Sequence, residues 1–417
     1  MSAREEDVLI IGGGVIGVCA AYYLAEAGRS VTLLERGELC SGSSYGNAGL
    51  VAVDHAIPTA APGALSQGLR WMLDPGSPFY IKPRLEPDLV RWLWRFRAAC
   101  REAPMRRAIP LLLELGRSSL ALYQTLHRQH KLDDGFRHEG RLILFRSEQG
   151  MAHGREELAL LGEYGVQGEL LGTEEVKARM PLVQDDIVGG IYFRGYAHLE
   201  PAAFVRELGR VLEMKGVGIR RGVEVLDFET AGPRIERVVT TRGVLHPREV
   251  VLAAGVWSAP LARRLGLYLP IQAAKGYSIT ARRPDAMPEL PLSLGEAKVA
   301  VTPMAGYLRF SSTLELNGFD MSINARRVEA TRRALRTYLA GMEGLEELEL
   351  WRGLRPMTPD SLPIIGRSEM YTNLVVATGH GMLGVTQGPI TGKLVADLVS
   401  DATPALDPTP FRIERFS

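Results

Sequence analysis

After Asp7 the run Val8 to Ile11 is aliphatic and uninterrupted, the pattern of a strand buried on both faces in a parallel sheet. Gly12, Gly13 and Gly14 then turn the chain sharply. From Val15 to Ala27 the sequence is rich in Ala, Leu and Tyr and free of proline, which predicts a helix that stops at Gly28. Ser30 to Leu34 predicts a second strand, and Glu35 ends it 18 residues after Gly17. Strand, glycine turn, helix, strand and terminal acid together make a βαβ dinucleotide site. Gly12, Gly14 and Gly17 let backbone approach a pyrophosphate, whose charge the helix N-terminus favours by about 0.3–1 kcal/mol.

Further along, Pro58 to Pro87 is proline-rich, and a tryptophan-rich helix follows around Arg91, Trp92, Leu93, Trp94, Arg95, Phe96 and Arg97. It is read as a helix covering a core with its arginines snorkelling; peripheral membrane contact is the lesser alternative. Arg141 to Phe145, Gly189 to Phe193, Lys275 to Ala281 and Gly306 to Ser311 alternate and are bounded by turns, which predicts antiparallel strands. Pro201 to Lys215 predicts a helix leading to a strand at Gly222 to Phe228, and Val250 to Gly255 another buried parallel strand. Leu374 to Ala377 runs through Thr378, Gly379, His380 and Gly381 into a helix ending at Val399, a second glycine-rich helix entry.

Length and composition bound the function. A chain of 417 residues suits two compact domains, and 46% hydrophobic with 23% charged residues is an ordinary globular balance. A net charge of +1 supplies no field for nucleic acid, so a small-molecule ligand is expected. Cys19, Cys40 and Cys100 are an odd number at wide spacing, which fits reduced cytosolic thiols and neither a disulfide framework nor a metal site. No stretch approaches the roughly 18 apolar residues that cross a bilayer. The expected location is cytoplasmic, with peripheral association at a membrane left open.

Six motifs then converge: GGGVIG at 12–17, SYGNAG at 44–49, VVLAAGVWS at 250–258, KGYSIT at 275–280, GLRPMTPDSLPIIG at 353–366 and TGHGMLG at 378–384. In this order, and over nearly the whole chain, they resemble the D-amino-acid dehydrogenase branch of the glycine oxidase and D-amino-acid oxidase flavoprotein family. The resemblance implies an α/β fold: a Rossmann-like FAD-binding domain with a mostly parallel sheet, and a second, mainly antiparallel substrate domain, both discontinuous. The first is expected over 1–54, 197–267 and 350–417, the second over 55–196 and 268–349.

The resemblance also implies the sites. FAD would be held by Gly12, Gly14, Val15, Ile16, Gly17, Glu35 and Arg36, by Ser43, Ser44, Asn47, Ala48 and Gly49 around the flavin ring, by Val223 and Gly255, and by Gly379, His380, Gly381, Leu383 and Gly384 at its pyrimidine edge. Glu35 would accept the ribose hydroxyls. His380 is read as a turn residue packed beside the flavin, without a chemical role. With no cysteine beyond Cys100, the FAD is expected to be non-covalent. Arg355, in Gly-Leu-Arg-Pro, would pair with the substrate carboxylate, because a planar guanidinium matches that group bidentately. Tyr277 and Tyr45 are hydroxyl contacts or core fillers. His55 stands where similar dehydrogenases carry tyrosine, and Ser311, Ser312 and Thr313 replace an expected glycine-containing strand.

The implied reaction is oxidation of a small amino acid, most simply a D-amino acid, to the imino acid and then the 2-oxo acid, with the Cα hydrogen passing to flavin N5. That chemistry belongs to the cofactor, so no nucleophile, metal or acid–base pair is expected in the protein. Electrons would leave to a quinone or another acceptor that is not oxygen. The alternatives are oxidation of an N-alkyl or cyclic amino acid such as sarcosine, proline or hydroxyproline, and an FAD-binding subunit of a hetero-oligomeric dehydrogenase. Oligomer formation is left open.

Overall fold

In the computed structural model, which describes residues 5–72, 74 and 76–416, strand β1 (Glu5–Ile11) has a parallel neighbour on each side. One is β2 (Val31–Glu35), the other Gly243–Leu252. Val8, Leu9 and Ile10 are completely buried, as an aliphatic run sealed on both faces requires. Helix α1 (Val15–Glu26) follows the glycine turn and ends at Ala27, with Gly28 at φ 78°. Gly218–Arg221 extends the sheet beyond β2, and Leu374–Thr378 extends it on the other side, both in parallel. Ile364–Arg367 closes that edge antiparallel. The first residues of Gly243–Leu252 pair instead with an antiparallel flap, Arg234–Thr240 and Val225–Ala231.

One strand differs from expectation. The parallel strand after the helix Pro201–Met214 is Gly218–Arg221, not Gly222 to Phe228. Gly222 adopts φ 64° and its N–H donates to the Gly37 carbonyl, so the chain turns there and Val225–Ala231 leaves for the flap. The proline-rich stretch also holds a helix, Ala64–Met72, and a short strand, Phe79–Ile81.

The second sheet runs in the order Glu347–Met357, Gln272–Arg282, Tyr307–Leu316, Val299–Met304, Leu292–Leu294, Arg141–Phe145, Gly189–Phe193, Glu169–Leu171. Its pairings are antiparallel, except Leu292–Leu294 with Arg141–Phe145 and the side strand Phe79–Ile81 with Tyr307–Leu316. The boundary expected at residue 350 falls inside its strand Glu347–Met357. Tyr277, Ile279, Leu308 and Phe310 pack one face against Val328 and Leu335 of the helix Ala325–Tyr338. The other face turns to the first sheet and leaves a cleft between them.

The helix Pro87–Ala99 starts with its proline in the first turn, where a missing N–H costs nothing. It covers the second sheet: Trp92 is buried and its Nε1 donates to the Met357 carbonyl at 3.0 Å, while Trp94 stays exposed. Among the described residues no helix is long and apolar enough to cross a membrane.

Over the first sheet, α1 lies against the helix Gly384–Val399 at a contact that admits no side chain. A Cβ on Gly392 would stand 2.5 Å from the Cys19 carbonyl carbon, which is backbone and cannot swing away. Gly392→Val is therefore expected to destabilise the protein by about 1–3 kcal/mol or more, as overpacking does. Urea denaturation should show a lower midpoint at unchanged slope; an unchanged midpoint would mean that the two helices separate without cost.

Candidate active site

At the end of β1, Gly12 takes φ 117°, and a Cβ there would lie 2.5 Å from the Ala253 carbonyl oxygen. A Cβ on Gly17 would lie 1.9 Å from the Gly12 carbonyl oxygen. Both glycines are thus required for strand and helix to meet, which leaves the first turn of α1 open to a ligand's phosphates. Glu35 accepts from Gly13 N–H at 2.8 Å and from Gly37 N–H at 2.9 Å, one bond to each carboxylate oxygen. Each oxygen keeps a lone pair for a ribose hydroxyl. Val15 N–H donates to Ser44 Oγ at 3.1 Å, tying the next loop to the helix start. Arg36 stacks on the Trp257 ring at 3.8 Å, and Val223 N–H donates to the Glu35 carbonyl at 2.9 Å.

The loop from Ser41 to Gly49 carries little regular structure and is held from outside. Arg309, buried in the second sheet, donates to the Tyr45 carbonyl at 2.9 Å and the Asn47 carbonyl at 3.2 Å. Ser43 Oγ donates to the Leu354 carbonyl, and Asn47 Oδ1 accepts from Gly49 N–H at 2.9 Å. The indole of Trp351 fills the space that a side chain on Gly46 or Gly353 would need. Arg309 and Trp351 carried no signal in the sequence; only the register of the strands brings them to the loop.

On the far side, Gly379 and Gly381 at φ 78° and 54° turn the chain into the helix Gly384–Val399. Gly381 N–H donates to the Pro356 carbonyl at 3.0 Å, and Met357 bridges His380, so this turn is fastened to the strand that carries Arg355. His380 Nε2 meets Thr391 Oγ1 at 2.9 Å, and burial lowers its pKa to about 3. It is a neutral, engaged turn residue.

These segments enclose a cleft of about 1800 Å³, above the 300–1,000 Å³ of most ligand sites and roomy enough for a dinucleotide with a small substrate. Trp351, Gly353 and Arg355 alternate along one strand and face it. The Arg355 guanidinium lies over Gly276, where a Cβ would stand 2.1 Å from its Nη1, and donates to the Thr313 carbonyl at 2.6 Å. Among the described residues no carboxylate pairs with it. Burial draws its pKa down to about 10, so it remains a cation at neutral pH. Thr313, at φ 72°, sits in the bulge between Tyr307–Leu316 and Gln272–Arg282 that aims its carbonyl at Arg355.

His55 also projects into the cleft: its ring is exposed to that space although protein surrounds it. Desolvation, with Arg141 and Lys298 beside it, lowers its pKa to about 4. The two tyrosines lie elsewhere. Tyr277 is on the opposite face of its strand, and its hydroxyl accepts from Asn324 N–H at 3.0 Å at the start of the helix Ala325–Tyr338. Tyr45 turns out of the cleft, its hydroxyl donating to Glu349 at 3.2 Å. Gly17, Gly49 and Gly379 shape the backbone without lining the cleft. The remaining expected residues, Gly12, Gly14, Val15, Ile16, Glu35, Arg36, Ser43, Ser44, Asn47, Ala48, Val223, Gly255, His380, Gly381, Leu383 and Gly384, line it together with His55 and Arg355.

The family model for FAD-dependent oxidoreductases matches residues 7–398, the span that builds both sheets and the cleft. The chain belongs to that family. D-amino acid dehydrogenases from Methylobacterium radiotolerans and Chromohalobacter salexigens are each 35% identical to it, over 98% and 99% of this chain and 99% and 100% of theirs. The crystal structure of glycine oxidase from Geobacillus kaustophilus shares the fold with a TM-score of 0.80, at 24% identity and 98% coverage of both chains. The L-proline dehydrogenase from P. horikoshii does so with a TM-score of 0.75, at 19% identity over 99% of this chain and 98% of that one. The cofactor of the present chain is FAD, and its glycine turn, the carboxylate of Glu35 and the size of the cleft fit that group.

Buried neutral histidines make stability depend on pH. His198 and His380 are almost wholly enclosed, and burial lowers their pKa to about 4 and about 3. The unfolded chain takes up these protons first, near pH 6.5, so stability is complete above that pH and falls as the solution is acidified towards 4. The loss is up to about 1.4 kcal/mol per pH unit for each histidine. Replacing His380 by Gln should lower the slope of unfolding free energy against pH, measured by urea denaturation from pH 7 to 4.5, by about one proton. An unchanged slope would mean that native His380 accepts a proton in this range.

Proposed function

We propose that the protein is an FAD-dependent dehydrogenase of small D-amino acids, passing electrons to a quinone or similar acceptor. The observation that carries the reading is Arg355: a cation enclosed by protein, without a carboxylate partner among the described residues, facing the cleft beside the turn Gly379–Gly384. A buried guanidinium left unpaired is costly, and an amino acid's carboxylate is the ligand that satisfies it. The full-length likeness to D-amino acid dehydrogenases supports the substrate class.

Bound FAD supplies the two-electron acceptor for the Cα hydrogen. The chain's part is to place Cα. Arg355 holds the carboxylate in one plane; its guanidinium is held by the Thr313 carbonyl and lies in the space that Gly276 leaves by having no side chain. The same positive charge favours the neutral form of a nearby amine over its ammonium. The backbone of Gly379–Gly384, locked to Pro356, would offer its N–H groups to the edge of bound FAD on the same side as this anchor.

Arg355→Ala is expected to weaken substrate binding by about 10-fold to 150-fold, the value of a charge-assisted pair at roughly 1.5–3 kcal/mol. FAD content should stay normal, and Arg355→Lys should recover only part of the loss. Anaerobic stopped-flow bleaching at varied D-alanine checks this; unchanged affinity and rate in Arg355→Ala would move the carboxylate elsewhere. A wild-type enzyme bleached by sarcosine or proline but not by D-amino acids would replace the substrate class. Rapid peroxide formation on admitting oxygen would replace the acceptor.

Acid or heat is expected to release all the flavin as free FAD, since Cys100 is the last cysteine of the chain. A flavin that stays on the denatured polypeptide would contradict non-covalent binding.

A further inference from the structure

Arg141 lines the cleft, and the dehydrogenase reading leaves it without a task. It opens the strand Arg141–Phe145, on the face opposite Leu142 and Leu144, which pack into the core beneath the sheet. It is 9% exposed, its Nε is buried without an acceptor, and no carboxylate pairs with it among the described residues. Its guanidinium lies 5.0 Å from the centre of the Tyr196 ring and hydrogen-bonds the Tyr196 hydroxyl, a neutral partner that leaves the charge uncompensated. His55 and Lys298 stand close enough to share its electrostatic environment, and both line the same cleft.

The nearby acids do not neutralise it. Asp54 lines the cleft, but the cation acting on it is Arg117, and burial raises its pKa. Glu157 pairs with His153 at 3.2 Å. Nor can Arg141 be a second hand on the carboxylate at Arg355. The strand that receives Arg355, Tyr307–Leu316, is three strands from Arg141–Phe145, about 14 Å across the sheet at about 4.8 Å per strand, and since Leu142 aligns through Leu292 and Val301 with Phe310, Arg141 is displaced from Thr313 along the strands as well. Two enclosed guanidinium groups in one cleft, on well-separated strands and without a carboxylate partner among the described residues, call for a ligand with two anionic groups.

We propose that Arg141, with Lys298 and His55 beside it, forms a second anion subsite, and that the preferred substrate is a dicarboxylic amino acid. Its α-carboxylate sits on Arg355 and its side-chain carboxylate on Arg141. The inference rests on the amino-acid reading above for the role of Arg355, and it selects the longer members of the class, because the two cations are well separated.

The test is equilibrium binding of unreactive acids to the FAD-loaded enzyme, followed by flavin absorbance change and by calorimetry, using malonate, glutarate and adipate against propionate and valerate. Glutarate or adipate should bind at least about 10-fold more tightly than valerate, as one added charge-assisted pair provides, and malonate should show no such advantage. Arg141→Met should abolish the advantage and leave valerate binding and FAD content unchanged. Because that variant removes an unpaired buried charge, its Tm should stay level or rise, so a folding defect cannot mimic the result. Arg141→Lys should retain part of the preference.

Equal binding of mono- and dicarboxylates by the wild-type enzyme overturns the subsite, as does an Arg141→Met variant that weakens both alike; Arg141 is then a packed cation over Tyr196. Bleaching by neutral D-amino acids separates this failure from failure of the dehydrogenase reading. If that bleaching occurs without a dicarboxylate preference, only the subsite falls. If no amino acid bleaches the flavin but the Arg141-dependent preference is present, the subsite stands and the reaction assigned above falls.

Discussion

No side chain fits between the end of the first strand and the helix that follows it. Gly17 approaches the Gly12 carbonyl, and Gly12 approaches the Ala253 carbonyl, at distances a Cβ would violate. This close approach points the first turn of the helix at the cleft, brings Gly13 N–H onto Glu35, and sets the helix where Gly388 and Gly392 of the C-terminal helix can lie on Val15 and Cys19. The glycine-rich contact recurs on the second helix because two helices over one sheet must share its width. The nucleotide site and the packing that supports it therefore rest on the same missing side chains.

Three arginines of the second sheet, Arg309, Arg355 and Arg141, show how hydrogen-bond satisfaction separates structure from binding. Arg309 is as deeply placed as Arg141, but it spends its donors on the Tyr45 and Asn47 carbonyls and on Thr280, and so fixes a loop that has no regular structure of its own. Arg355 makes one bond, to Thr313, and keeps its other donors for the cleft. Arg141 leaves Nε without an acceptor. A desolvated cation with open donors lowers stability in the empty protein and regains it only with an anionic ligand. The count of remaining donors says more about function than depth does.

Much of the first sheet was legible because its signals are local: an aliphatic run, a glycine turn, a proline-free helix and an acid at a fixed distance. In the second sheet alternation, which is also local, made Arg141–Phe145, Gly189–Phe193, Gln272–Arg282 and Tyr307–Leu316 legible, while Glu169–Leu171, Leu292–Leu294, Val299–Met304 and Glu347–Met357 were not anticipated. What could not be read was which side chains meet across strands. Tyr277 and Gly276 are adjacent in sequence, yet strand parity sends one into the core against Asn324 and leaves the other beneath Arg355. Arg309 reaches the Ser41–Gly49 loop across more than 260 positions of chain, a contact that exists only after both sheets have formed. Gly222 looked like the start of a strand because valines follow it, but a left-handed φ placed the turn there and the parallel strand before it.

The positive φ of Thr313 connects these observations to the chemistry. A β-branched residue in that region is strained, and its hydroxyl gains Ser312 at 3.0 Å, while Ser312 also meets Thr331 at 2.6 Å on the helix beneath. The bulge that requires this conformation also turns the Thr313 carbonyl towards Arg355. From Arg355 the constraint passes along one residue to Pro356, whose carbonyl accepts from Gly381, and one further to Met357, whose carbonyl holds Trp92. Arg355, the turn Gly379–Gly384 and the covering helix are thus fastened within three consecutive residues. An arginine fixed in this way before any ligand arrives meets the requirement of the proposed mechanism, in which the protein's part is placement.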